Sequence, residues 1–296
     1  MATKQKLERT IASTQDMASI VSTMKALAAV NARIFGRARE AIEHYMDGVE
    51  RGVQVVLSEA PNLLREMSGS ALANGTPGGD VAVFVYGAVQ GMCGQFNDHI
   101  AQHAAEYLDP LQARPHVVAV GPRVITRLQD HGLSVRTRIT MTGSLESLPR
   151  VVDDCIVTMQ NIVTQGTGRV VLCYNAEGGR MSYEPRHELI YPVDEAWLER
   201  IVAREWPTRC LPQAVGPRQP LLAALTRQYL FAGFYRAAAQ SLSSENEARL
   251  SAMQSAESNI DERLDELRAA HNQQRQQEIT AELLDIVGGY VALEER

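Results

Sequence analysis

The last quarter of the chain has an unbroken pattern of helix-forming residues. Residues 221–287 contain no proline and only one glycine, Gly233, while Ala, Leu, Glu, Gln and Arg predominate. This composition predicts one continuous helix, which would be roughly 100 Å long at about 1.5 Å per residue. Apolar residues recur along it at spacings of three, four or seven: Leu250, Met253, Ile260, Leu264 and Leu267. Because this spacing is typical of a coiled-coil seam, the helix requires a partner helix of similar length.

The N-terminal segment supplies a second helix of that kind. Residues 3–60 contain no proline and few glycines. An apolar stripe follows helical spacing through Leu7, Ile11, Val21 and Ala28, with Ile20, Met24 and Leu27 beside it. Since a long helix in water gains most of its stability by packing its apolar face, the two terminal helices are predicted to pair antiparallel.

The pattern changes between the two helices. Residues 69–80 are rich in Gly, Pro and Asn and predict a loop or linker. Strands are then predicted at 81–86, 116–120 and 169–174, with an edge strand at 187–191 and helices at 97–108, 122–131 and 149–164. Strands alternating with helices predict a parallel α/β layer. The expected domains are an N-terminal coiled-coil helix (1–60), a linker (61–80), a Rossmann-like α/β domain (81–214) and a C-terminal coiled-coil helix (215–296).

Composition narrows the classes of function. The net charge is −6, so no basic surface for nucleic acid is expected. The four cysteines are far apart without a CxxC pair, which disfavours both structural zinc and a disulfide framework. No apolar run reaches the roughly 18 residues of a membrane span, and the N-terminus lacks the apolar core of a signal peptide. We therefore expect no metal, no cofactor and no direct membrane insertion.

A glycine-rich turn follows the first predicted strand. Gly87, Gly91 and Gly94 lie where dinucleotide sites occur in Rossmann-like folds, but their spacing is GxxxGxxG rather than GxGxxG. We interpret the turn as structural, with a small nucleotide-binding enzyme as the alternative.

Two further features have candidate chemistry. His99 and His103 are four residues apart on a predicted helix, but no nearby residues complete a metal site, so a solvated or partly buried pair is favoured. Cys93 has no assignable His or Asp partner and is interpreted as a buried apolar side chain.

The C-terminal helix interrupts its apolar seam near its end. Residues 272–278 have the sequence Asn-Gln-Gln-Arg-Gln-Gln-Glu, after which apolar residues resume at Ile279, Leu283, Ile286 and Val287. A solvated helix face is the simpler interpretation of the polar block. A helix that becomes apolar again at its tip nevertheless favours contact with a partner outside the chain.

This helix resembles the C-terminal helix of the gamma subunit of F-type ATP synthases. The shared motifs are Ser-Glu at 244–245, Arg249 with Met253, Asn-x-x-Arg-Gln at 272–276, Ile-Thr-x-Glu-Leu at 279–283 and Ile-Val-Gly-Gly at 286–289. The first helix is similar too, through Ile-Ala-Ser-Thr-Gln at 11–15 and Met24 with the Ala-rich run after it. Cys-Gly-x-Phe-Asn at 93–97 is similar to the family element after the first strand. The likeness covers the full length, strongly at both ends and loosely in the middle.

The resemblance implies a non-catalytic rotor subunit. The paired helices would form the central shaft inside a ring of alternating alpha and beta subunits, the catalytic hexamer. The α/β domain would contact the membrane c-ring and an epsilon-type subunit. The complex would couple ion translocation to ATP synthesis or hydrolysis at the cytoplasmic face of the bacterial inner membrane.

The resemblance also implies contact residues. Rotor–stator contacts with beta subunits would involve Met24, Lys25, Arg249, Arg275, Gln276, Thr280 and Glu282. Within this set, Met24 and Lys25 would face Arg249. Arg275 and Gln276 would contact a beta-subunit loop, with Thr280 and Glu282 adjacent to that contact. Ile279, Leu283, Ile286 and Val287 would turn in an apolar bearing, where non-directional contacts resist rotation least.

Some positions depart from the family pattern. Ala88-Val89-Gln90 replaces an acidic–basic pair, Ser22 replaces a common lysine, and the basic run that follows is reduced to Arg33, Arg37 and Arg39. These departures indicate a divergent branch, and a sodium-translocating ATPase is one hypothesis. An alternative of another class is a coiled-coil scaffold with an α/β ligand-binding insert. Such a scaffold would form a homodimer instead of co-purifying with a nucleotide-binding hexamer.

Overall fold

The structure is a computed structural model that describes residues 2–60, 62–63, 80–111, 115–178, 183–193, 195–210 and 212–294. Its α-helices are α1 (Ala2–Glu59), α2 (Phe96–Leu108), α3 (Val124–Asp130), α4 (Leu148–Thr164), α5 (Glu195–Ala203) and α6 (Arg218–Glu294). Its strands are β1 (Val81–Tyr86), β2 (Pro115–Val120), β3 (Val135–Ile139), β4 (Arg169–Glu177) and β5 (Tyr183–Tyr191). Most of the predicted linker at 61–80 lies outside the described residues.

The two long helices begin and end close to their predicted limits. α1 matches the predicted segment 3–60, and α6 extends the predicted segment 221–287 at both ends. Pro220 lies in the first turn of α6, where a backbone N–H would have no intrahelical acceptor. The proline therefore costs the helix no hydrogen bond. The predicted fold class, an α/β insert with an antiparallel coiled coil of the N- and C-terminal helices, is confirmed.

The inserted domain is built on one five-stranded sheet of order β3-β2-β1-β4-β5. β5 runs antiparallel to β4, and the other pairings are parallel. All predicted strands and helices of the insert are present, but β3 and α5 are missing from the prediction. In β3, at the edge of the sheet, Arg136, Thr137 and Arg138 leave only the two end residues apolar, and α5 is a short helix in a proline-rich region. Neither segment contains an apolar run like those from which β1, β2 and β4 were predicted.

The described residues between 29 and 249 form one compact unit around this sheet. Alternate side chains of β1 divide its core because successive residues of a strand point to opposite faces. Phe84 and Tyr86 pack on the side of α4 and the long helices, whereas Val83 and Val85 pack on the side of α2 and α3. The ring of Phe84 meets that of Phe234 in α6 edge to face, with centroids 5.1 Å apart. This contact attaches α6 directly to the sheet.

Residues 2–28 and 250–294 form the second unit, an antiparallel two-helix coiled coil. Its buried positions include Thr14, Ala28, Met253, Leu264 and Leu267. Polar contacts between the described side chains of the two helices include Lys25 Nζ at 2.5 Å from Glu257 Oε2 and His271 Nε2 at 3.3 Å from Glu8 Oε1. Among the described helices, none combines the length and the hydropathy that crossing a bilayer requires.

Candidate functional site

The loop that follows β1 lies at the carboxyl edge of the sheet. β1 stands between β2 and β4, where the strand order changes direction. In open α/β sheets this crevice is the usual place for a ligand. Gly87 begins the loop, and a Cβ there would lie 2.3 Å from the Cβ of Val124 in α3. The loop therefore leaves the strand in close contact with α3, and only glycine fits.

The backbone N–H groups of residues 87–90 are all hydrogen-bonded within the protein. The first two donate to Val120 O and to Asn97 Oδ1, each at 2.8 Å. The next two donate to Oε2 and Oε1 of Glu245 in α6, at 2.9 and 3.0 Å. The donors that would bind a phosphate in a dinucleotide site are therefore occupied.

Glu245 belongs to a buried charged cluster on α6. Its side chain is 2% exposed, and that of Arg249, one helical turn further on, is 4% exposed. Arg249 donates to Glu245 Oε1, to Asn246 Oδ1 at 2.9 Å and to Gly91 O at 3.2 Å. The two side chains neutralise each other's charge and bind both N–H and C=O groups of the loop.

This cluster disfavours the nucleotide-binding alternative. The carboxylate of Glu245 already accepts the two loop N–H groups that a phosphate would need. A phosphate brought to the same place would have to displace that buried carboxylate from both the loop and Arg249. The glycine-rich turn is thus a structural connection between β1 and α6.

The two candidate histidines do not converge on a common point. His99 Nδ1 lies 3.0 Å from the hydroxyl of Tyr183, and His103 Nε2 lies 3.0 Å from His187 Nδ1. Burial, together with the neighbouring His187, lowers the pKa of His103. Across the part of the chain that the structure describes, no three His, Cys, Asp or Glu side chains are grouped to bind a metal ion.

Cys93 is buried, as the sequence predicts. It belongs to a small apolar cluster with Ala88, Phe96, Tyr183 and Ala248. Burial raises the pKa of Cys93 to about 11. Its thiol therefore stays protonated near neutral pH, which is unsuited to a nucleophile.

The predicted rotor–stator residues fall in both units. Arg249 lies in the α/β unit, in the buried cluster with Glu245. Met24 and Lys25 lie in the coiled-coil unit and are partly buried, with Lys25 paired to Glu257. The four at the far end of α6 are exposed: Arg275, Gln276, Thr280 and Glu282. Their contact with a beta subunit stays a prediction.

The coiled-coil unit presents large apolar side chains to its surroundings. The predicted bearing residues Ile279, Leu283, Ile286 and Val287 are 45%, 57%, 69% and 56% exposed. Sequence reasoning missed Leu284 and Met17, and it placed Ile20 and Leu27 beside the apolar stripe, although all four are exposed. Met17, Ile20 and Leu27 are three and seven residues apart, so helical spacing places them on one face of α1. The spacing does not say whether a partner helix covers that face. Apolar surface of this extent is typical of an interaction site.

Two features define a structural subunit made for assembly. The paired terminal helices have exposed apolar side chains, and in the α/β domain a carboxylate of the same chain occupies the loop N–H groups that a phosphate would need. The chain belongs to the ATP synthase family, whose family model matches residues 3–293.

Individual relatives agree with this membership. The chain is 28% identical over 298 residues to a protein of Polaromonas sp. named ATP synthase gamma chain, covering 99% of this chain and 100% of the relative. A protein of the same name from Campylobacter concisus is 27% identical over 300 residues, with 98% of each chain covered. Among solved structures, the rotor of Euglena gracilis mitochondrial ATP synthase is similar, with a TM-score of 0.62 at 14% identity. That match covers 94% of this chain and 99% of the rotor chain, and it shows a shared fold.

Proposed function

We propose that this chain is the central rotor shaft of a rotary F-type ATP synthase. The observation that supports this most directly is the tip of α6, where Ile279, Leu283, Ile286 and Val287 stay exposed on a continuous helix. These side chains need apolar surroundings that their own unit does not supply. In this family, the alpha and beta subunits of the catalytic hexamer would supply those surroundings. The complex would couple ion translocation to ATP synthesis or hydrolysis.

The remaining partners follow from the same role. The α/β unit would contact an epsilon-type subunit and the membrane c-ring. The shaft itself would be non-catalytic and bind no nucleic acid. It would lie at the cytoplasmic face of the bacterial inner membrane as a peripheral protein.

Native mass spectrometry of complexes that contain this chain tests the proposal. The expected species is one copy of the chain with a nucleotide-binding hexamer of alternating subunits. A homodimer without any hexamer would instead support a coiled-coil scaffold. Such a result would contradict the rotor role.

The exposed polar residues before the tip are proposed to contact a beta-subunit loop. Replacing Arg275 and Gln276 together with alanine should lower ATP turnover by the assembled complex by at least about tenfold, because the loss of one hydrogen bond to a charged group already costs about 1.5–3 kcal/mol. Turnover by the reconstituted complex is the measurement. Gln273 and Gln277 are exposed on the same helix, so their double alanine variant is the control and should keep wild-type turnover. Equal turnover in both double variants would count against the assigned contact.

Met24 is proposed to lie at a second rotor–stator contact. It is partly buried beside Lys25, whose Nζ is 2.5 Å from Glu257. Replacing Met24 with lysine adds a second positive charge beside that ion pair. We expect the number of ions pumped per ATP hydrolysed to fall while the complex still assembles. Met24→Leu is the control and should pump normally. Loss of assembly before loss of pumping would mean that Met24 has only a packing role.

A further inference from the structure

The cluster of Glu245 and Arg249 joins two parts of the α/β unit that are far apart in sequence. Glu245 accepts hydrogen bonds from Val89 N and Gln90 N, and Arg249 donates to Gly91 O. The helix thus holds three consecutive residues of the loop through their backbone. Because both oxygens of one carboxylate bind successive N–H groups, the contact fixes orientation as well as distance.

The position of this contact is unusual for a carboxylate. The loop follows the central strand β1 at the switch point of the sheet, where other folds of this class bind phosphate through backbone N–H groups. Here a side chain of the same chain supplies the anion. The charge of Arg249 compensates it, since a lone buried carboxylate would be strongly disfavoured.

We propose that Glu245 and Arg249 are positioning residues that lock the loop of residues 87–94 onto α6 by filling the anion-binding place of the sheet. Because of this lock, the α/β domain rotates together with α6 when a torque acts on the helix. Sliding or rotating the helix against the sheet would break three backbone hydrogen bonds and expose a buried ion pair. This inference rests on the proposed rotor function for its consequence, but the lock itself can be tested without it.

Cys93 reports whether the lock is closed. It is 4% exposed, lies within the loop and packs against Ala248 of α6 in the same apolar cluster. Cys155 and Cys173 are also buried but lie elsewhere in the fold, in α4 and β4. Local release of the loop should therefore expose Cys93 alone, whereas general loss of structure should expose all three. Cys210 is exposed and would react in any state, so it is replaced by serine throughout.

The experiment is maleimide labelling of the full chain, followed by peptide mass spectrometry. In Glu245→Ala, Cys93 should be labelled about tenfold faster than in the parent chain, because the loop opens locally. Cys155 and Cys173 should stay protected. Formate should slow the labelling of Cys93 again, since it can bind the two loop N–H groups and Arg249 in the space left by the carboxylate.

Two variants act as controls. Glu245→Gln fills the same space without the charge, so Cys93 should be labelled faster, but formate should not protect it. Glu266 forms an exposed ion pair with Arg263 on the same helix, so Glu266→Ala should leave labelling unchanged. Sodium chloride at equal ionic strength controls for the salt added with formate. The lock is refuted if Cys93 stays protected in Glu245→Ala, if all three cysteines react together, or if formate has no effect.

The mechanical consequence is measured in the assembled complex. Glu245→Ala should pump fewer ions per ATP hydrolysed, and formate should restore the ratio. An unchanged ratio, with Cys93 already exposed, would overturn the role of the lock in transmission. Failure of the rotor function itself is distinguishable, because the parent chain would then not join a hexamer while the labelling results would stand.

Discussion

Replacing Leu264 and Leu267 together with alanine is expected to separate the two helices of the coiled-coil unit while the α/β unit stays folded. Both leucines are almost fully buried in the seam, at 5% and 6% exposure. A buried Leu→Ala substitution costs about 2–5 kcal/mol. Long helices gain most of their stability by packing an apolar face, and isolated helices are marginal in water.

Hydrogen exchange with mass spectrometry can follow each unit of the full chain separately. Amides of residues 5–28 and 250–287 should exchange faster in the double variant, whereas those of the five strands should not change. In the assembled complex, ion pumping should be lost with the shaft.

Leu283 and Leu284 provide a matched control on the same helix. They are 57% and 66% exposed, so their double alanine variant removes the same atoms from an exposed position. Surface substitutions of this kind usually change stability by no more than about 0.5 kcal/mol. Equal acceleration of exchange in the two double variants would mean that the buried seam does not hold the helices together.

Periodicity predicted the long helices well because their signal extends over many turns. The seam residues Met253, Leu264 and Leu267 are buried as their spacing indicates. The sequence did not show that the N-terminal helix has a second, exposed set of apolar residues, including Ile20 and Leu27. Spacing places residues on a face of a helix, but it does not say which face the partner covers.

Strand prediction succeeded for the fully buried β1 and for part of the edge strand β5, but it failed for the other edge strand, β3. β1 is buried along its length, and its six apolar residues form one run. β3 lies at the edge of the sheet, where two arginines flank Thr137 and only Val135 and Ile139 are apolar, so its sequence resembles a loop. An edge strand is defined by its hydrogen-bonded neighbour, and one sequence segment does not contain that information.

Helical spacing indicates the buried cluster of Glu245 and Arg249, although a hydrophobicity pattern alone does not. Glu245 is three residues after Leu242 and seven after Ala238, both of which are buried. It therefore lies on the buried face of α6 by helical spacing, with Arg249 four residues further on. An acidic and a basic residue on a buried face predict an internal ion pair. Their contact with the loop after β1 depends on tertiary packing and could not be predicted.

The close approach of that loop to α3 yields the second large expected effect: Gly87→Ala should destabilise the α/β unit by about 3 kcal/mol, at the upper end of the range for overpacking. The added Cβ would lie 2.3 Å from Val124 Cβ and 3.0 Å from Asn97 Oδ1. The first contact forces β1 and α3 apart. The second disturbs the hydrogen bond that Asn97 accepts from Ala88 N at 2.8 Å.

Gly91→Ala is the matched control because it lies in the same loop with open space around it, where a Cβ would have no neighbour within 4 Å. Urea unfolding followed through the signal of the sheet gives the free energy of unfolding for both variants. The midpoint should fall clearly for Gly87→Ala and stay near that of the parent chain for Gly91→Ala. If both variants unfolded at the midpoint of the parent chain, the loop and α3 would leave more space for the added Cβ than the structure shows. Since Gly87 starts the loop that Glu245 holds, Gly87→Ala should also speed the labelling of Cys93, which connects the packing of the turn to the lock on α6.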